Sequence, residues 1–153
     1  HDLVTNVDFA ETFLDMAGVD IPEDMQGRSI VPLMKGKTPK DWRKDFYYRY
    51  YHDPNEHGTP AHYGVRTDRY KLIYFWRLNH WELFDLKKDP NELVNLYGNP
   101  KYAKIQKQLT ERLYALKKEV KDEDQFANYT LKSGIVPRDK YAKDMKIVRR
   151  NDM

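Results

Sequence analysis

The chain has 153 residues, with 27 Lys plus Arg against 24 Asp plus Glu, a formal net charge of +3, 14% aromatic residues and no cysteine. One compact domain with a modest core fits that length, and two full domains do not. The small basic excess is spread through an acidic background, so no nucleic-acid partner is implied; disulfides, thiolate metal sites and a cysteine nucleophile are excluded, and no apolar run reaches membrane-spanning length.

Val4, Val7, Ala10, Phe13, Leu14 and Ala17 fall at helical spacing, with Asn6 or Asp8 near the start and Gly18 just past the end. The row Asp8, Glu11, Asp15 is read as the solvated face of this helix. Periodicity that begins directly after His1, with no signal-peptide pattern, suggests a chain that starts inside something larger. Residues 19–27 lack periodicity and contain Pro22 and Gly27, the marks of a loop. Ser29 is placed to cap a short turn that ends at Gly36. A boundary belongs in the polar stretch after Lys37.

Phe46 to Tyr51 is dense in β-favouring aromatics, and further strands are expected at His62–Arg66, Tyr70–Phe75 and Trp81–Phe84. Short connections make these an antiparallel sheet of about four strands. Tyr70/Leu72/Tyr74 alternate with Lys71/Ile73/Phe75, which leaves the inward face open. After the turn Asp89-Pro90-Asn91-Glu92, Asn99-Pro100 opens the longest helix, where Tyr102, Ile105, Leu109, Leu113, Leu116 and Val120 form a stripe that needs the sheet as its partner. The tail from Phe126 to Met153 has irregular apolar spacing and is expected to be extended.

Several spaced motifs carry a resemblance. Gly64-Val65-Arg66-Thr67-Asp68-Arg69-Tyr70-Lys71-Leu72-Ile73 and Glu82-Leu83-Phe84-Asp85-Leu86, followed by Asp89-Pro90 and Asn95-Leu96, resemble the C-terminal part of the type I, arylsulfatase-like sulfatases. Leu3-Val4 through Ala17-Gly18 and Gln26-Gly27-Arg28-Ser29 through Pro32-Leu33 are similar to two further segments of that family, in the family's order. The resemblance covers residues 1 to about 120. It implies an α+β fold, a four-stranded antiparallel sheet packed by a long C-terminal helix and preceded by a helical remnant of an alkaline-phosphatase-like α/β catalytic domain. The implied boundaries are 1–37 for the edge of that domain, 38–125 for the C-terminal subdomain and 126–153 for the tail.

Family members use a formylglycine made from Cys or Ser in a C/S-x-P/A-x-R motif, together with calcium held by acidic residues upstream. Neither serine of this chain fits, because Ser29 precedes Ile-Val-Pro-Leu and Ser133 precedes Gly-Ile-Val-Pro. Calcium and formylglycine are therefore expected only in a full-length enzyme, and the fragment alone is expected to be inactive. The resemblance further implies an upstream catalytic domain of the same polypeptide, a sulfated sugar substrate and an extracytoplasmic location. Loops of the C-terminal sheet lean over the pocket in that family. This makes His62, His57, Arg66, Trp76 and His80 the candidate substrate-binding residues.

Each of these has a plainer reading. His52, His57 and His62 recur at five-residue intervals without a second shell, which gives no ground for a zinc site. His62 and His57 also suit a strand edge and a loop; Arg66 and Arg69 suit pairing with Asp68 or Asp85 or stacking on Tyr70; Trp76 and Trp81 suit the core under the long helix. A stand-alone carbohydrate-binding or protein-interaction module is the alternative function, and a phosphoesterase relative is the third. The first and second readings differ over the apolar face of the first helix, which needs a missing domain in one and is satisfied within the chain in the other.

Overall fold

The computed structural model describes residues 2–51, 59–125 and 127. Helix α1 (Asp8–Met16) and short helix α2 (Val31–Met34) precede four strands, β1 (Asp45–Tyr50), β2 (His62–Thr67), β3 (Tyr70–Phe75) and β4 (His80–Asp85). A 3-10 turn at Pro100–Tyr102 then leads into helix α3 (Ala103–Glu119). The expected tail lies outside the described residues apart from Ala127.

The sheet is antiparallel throughout, in the order β1-β2-β3-β4. Its register settles the faces that alternation alone left open. Tyr47, Val65, Leu72 and Leu83 form one rung toward α3, and Arg49, Tyr63, Tyr74 and Trp81 form the next. Leu109, Leu113 and Leu116 of α3 close over them, and Val65, Leu72, Leu83 and Leu113 are fully buried. Each such side chain contributes about 1.5–3 kcal/mol by leaving water. The far face carries Phe46–Arg66–Lys71–Phe84, then Tyr48–Gly64–Ile73–Glu82, then Tyr50–His62 beside Phe75–His80. Gly64 is required there, since a Cβ would lie 2.6 Å from the Tyr48 hydroxyl and 2.5 Å from the Leu72 carbonyl oxygen.

Turn chemistry and edge capping explain two of the motifs. Thr67 Oγ1 accepts from the Tyr70 N–H at 2.8 Å and closes the β2–β3 hairpin over Asp68-Arg69. Asp85, fully buried, accepts from Arg69 Nε at 2.9 Å and Nη2 at 2.8 Å, which ties that hairpin to the end of β4. Along the outer edge of β4, Asn95 imitates a strand: its Oδ1 accepts from Leu83 N at 3.0 Å and its Nδ2 donates to Trp81 O at 2.9 Å. Leu96 N adds a bond to Leu83 O at 2.8 Å. The edge is thus satisfied without a fifth strand.

The N-terminal segment departs from expectation. Asp8 is 0% and Glu11 1% exposed, so two of the three acids read as solvated lie on the inner face of α1. The loop that follows supplies the reason, because its backbone N–H groups need acceptors. Gly27 N donates to Glu11 Oε1 at 2.6 Å, Arg28 N to Asp8 Oδ1 at 2.9 Å and Ile30 N to Thr12 Oγ1 at 3.0 Å. Asp15 stays exposed and accepts from Ser29 Oγ, which in turn accepts from Val31 N at the start of α2. A Cβ on Gly27 would collide with the Val7 carbonyl and both Glu11 oxygens, so the loop lies against the helix only as glycine. Apolar side chains point the other way. Phe13 is 69% exposed, and Phe9, Met16 and Val19 are more than half exposed.

Candidate functional site

The far face of the sheet gathers three of the sequence-derived candidates. Tyr50, His62, Phe75 and His80 cross all four strands as one rung, with ring centroids 5.5, 5.1 and 6.0 Å apart in turn. His62 is oriented by its own chain: Nδ1 lies 2.8 Å from Pro60 O, a carbonyl that only accepts, so Nδ1 carries the proton. Nε2 is then the nitrogen left to meet a ligand, accepting when the ring is neutral and donating when it is charged. His80 Nε2 stands 3.6 Å from Glu82 Oε1. Two rungs away, Arg66 donates from Nε to Thr67 O at 3.2 Å and forms no ion pair among the described residues. Pairing of Arg66 with Asp68 or Asp85, expected as its plainer role, does not occur. Arg69 takes that place, bonded to Asp85 and stacked 4.9 Å from the Tyr70 ring centre.

Trp76 lies apart from these. Its ring stacks on Tyr63 at 5.6 Å on the α3 side of the sheet, beneath the Arg49 guanidinium at 4.6 Å. His57 lies outside the described residues. Tyr50 and Phe75, which hold the His62 ring between them, were not singled out in the sequence. Each is the last residue of its strand, and the register that sets it beside a histidine has no signature in the sequence.

Charged groups elsewhere are consumed by one another. A groove of about 1060 Å³ runs between the N-terminal segment and the β1 edge, lined among others by Arg28, Arg43, Arg49 and Arg112. Each of these arginines has a carboxylate: Asp41 at 2.9 Å, Asp8 at 2.5 Å, Asp122 at 2.5 Å and Asp45 at 2.7 Å. The guanidinium charge of the groove is therefore paired within the chain, while Lys44 and Lys121, which also line it, form no ion pair among the described residues. Burial is the largest single influence on Asp8 and Asp122 and works against their ionised forms, but the bonds from Arg43 and the Thr5 and Arg28 N–H groups to Asp8, and from Arg49, Tyr47 and the Asp124 N–H to Asp122, together with the arginine charges, outweigh it and hold both carboxyls below the usual range.

Among the described residues no three His, Asp or Glu side chains converge on a point where a metal ion would sit. Asp8, Asp85 and Asp122 are taken up by arginines, and Glu11, whose Oε1 accepts from Gly27 N, keeps only Oε2 free, so the described residues do not supply the several converging oxygens of a calcium site. Nor does either serine stand in a sequence that yields formylglycine. What the far face can do is bind and orient: an imidazole nitrogen, a guanidinium and aromatic rims suit an anionic sugar.

Residues 1–119 match the family profile described as N-sulphoglucosamine sulphohydrolase, C-terminal. The chain belongs to this family. It is 51% identical over 122 residues to the N-acetylglucosamine-6-O-sulfatase of Bacteroides thetaiotaomicron, a match covering 78% of this chain and 22% of that protein. A Delta 4,5-hexuronate-2-O-sulfatase of the same organism is 35% identical over 99 residues, covering 65% and 20% respectively. Among solved structures, a protein in complex with its substrate D-glucosamine-2-N,6-O-disulfate superimposes with a TM-score of 0.75 at 48% identity, over 80% of this chain and 26% of that one. The chain thus spans about a fifth of the length of these two curated relatives. This sulphohydrolase C-terminal fold is the α+β arrangement expected from the sequence, with a four-stranded antiparallel sheet and a long helix.

Proposed function

We propose that this chain is the C-terminal part of a sulfuric ester hydrolase acting on sulfated carbohydrate, with a 6-O-sulfated glucosamine as the substrate class. The 51% identity to an N-acetylglucosamine-6-O-sulfatase carries this reading. In it, the chain completes the fold and forms one wall of the substrate cleft. His62 Nε2, Arg66 and His80 face the sugar. Trp76 supports the wall from behind. The nucleophile and a calcium site belong to an upstream catalytic domain, which in this reading also places the enzyme outside the cytoplasm.

The exposed apolar side of α1 supports that upstream domain over a stand-alone binding module. Among the described residues nothing covers Phe9, Phe13 and Met16, whereas a self-contained module calls for such a cover. In the complete enzyme, His62→Ala should lower kcat/KM on glucosamine 6-sulfate by about 10²-fold, in line with loss of a positioned contact to the substrate. The thermal midpoint should move little, because His62 is not a core side chain. Equal loss of activity and stability would return His62 to the scaffold.

A further inference from the structure

Arg49 is the most enclosed cation among the described ion pairs, with its side chain 3% exposed. Its Nη1 donates to Asp122 at 2.5 and 2.6 Å and to Asp124 at 2.7 Å, both acids lying just beyond the end of α3. Nε and Nη2 have no hydrogen-bond acceptor. Three rings stand in for one: the guanidinium carbon lies 4.8 Å from the Tyr51 ring centre, 5.3 Å from Tyr63 and 4.6 Å from Trp76. Arginine is suited to this, being planar, weakly hydrated and able to stack and pair at once.

The identity of those rings matters. Tyr51 follows Tyr50, Tyr63 follows His62 and Trp76 follows Phe75, so each ring against the guanidinium is one residue from a member of the far-face rung. Successive strand residues point to opposite faces, and fixing one residue fixes the backbone that aims the next. One cation behind the sheet therefore sets the ends of β1, β2 and β3 from which Tyr50, His62 and Phe75 project. Its anchor, Asp122, is 5% exposed and also accepts from the Tyr47 hydroxyl. Asp122 and Asp124 lie past residue 119, where the family profile ends, so the anchor is not part of what that profile assigns.

We propose that Arg49, held by Asp122, is a positioning residue for saccharide recognition, acting through the backbone on His62 and its flanking rings. This rests on the reading of the far face as a wall of the substrate cleft. The device connects the segment after α3 to the cleft through the thickness of the sheet.

The complete enzyme tests it with two substrates, glucosamine 6-sulfate and 4-nitrophenyl sulfate, the second being too small to need the sugar-binding wall. Asp122→Asn should raise KM for the sugar about tenfold, while kcat/KM for the aryl sulfate stays within about twofold. Asp122→Glu keeps the ion pair and should recover most of the loss. Should Asp122→Asn not fold, Asp124→Asn serves instead, because Asp124 is half exposed and its loss leaves the Arg49–Asp122 pair; a smaller rise in sugar KM is expected. Parallel loss on both substrates, or an unchanged sugar KM in a folded variant, would overturn the positioning role. Wild-type enzyme that cleaves the aryl sulfate but not the sugar would overturn the functional reading itself.

Discussion

Asp8 shows how much one side chain organises at the N-terminal end. It accepts from Thr5 N at 2.7 Å, from Arg28 N at 2.9 Å and from both terminal nitrogens of Arg43. Removing the carboxylate leaves Arg43 largely buried without its partner, so Asp8→Ala should cost about 3–5 kcal/mol in urea unfolding. Gly27→Ala should cost about 1–3 kcal/mol by forcing the loop off the helix. The pH dependence has a definite sign. Asp8 and Asp122 titrate below their ordinary value of 3.8 in the folded state, so the stability they confer is complete above that value and is lost as pH falls through the lower, folded one. A thermal midpoint that is level from about pH 7 to 5 and drops below about pH 4 is expected; a level midpoint down to pH 3 would contradict it. From sequence, Asp8 stood out as a motif position but its burial did not. Helical periodicity assigns acids to the solvent side, and the N–H groups that bring these inside lie 16 to 20 residues further on.

For the elements, the strands were legible because aromatic and β-branched residues cluster between turn residues, and α3 because its leucines repeat every three or four positions. Register was not legible. Leu72 and Ile73 are both buried, each on its own face, so alternation could not say which side meets the helix. Histidine, arginine and aromatic candidates were likewise visible as residues without a face. Only pairing places His62, Arg66 and His80 together and sends Trp76 behind them. The Asn95-Leu96 pair was read as a motif with no role, since a side chain that imitates a strand edge has no periodic signature. Asn95→Ala strips the edge of two bonds, one to each of Leu83 N and Trp81 O. It should destabilise the fold by about 1–3 kcal/mol and speed hydrogen exchange at the Leu83 amide above that of Leu72. Unchanged exchange at Leu83 would mean that the cap is ornamental.

At the level of the molecule, three observations agree. Helix α1 buries Asp8 and Glu11 and leaves its phenylalanines in water. The arginines of the groove are neutralised within the chain. One sheet face collects Tyr50, His62, Arg66, Phe75 and His80. All three are what the proposed role, a cleft wall completed by another domain, requires. The direct measurement is sulfate release from glucosamine 6-sulfate by the purified chain in the presence of calcium, with near-UV circular dichroism of the stacked Tyr and Trp rings verifying that the sheet is formed. No release above buffer is expected from the folded chain, and steady turnover by these 153 residues alone would contradict the account.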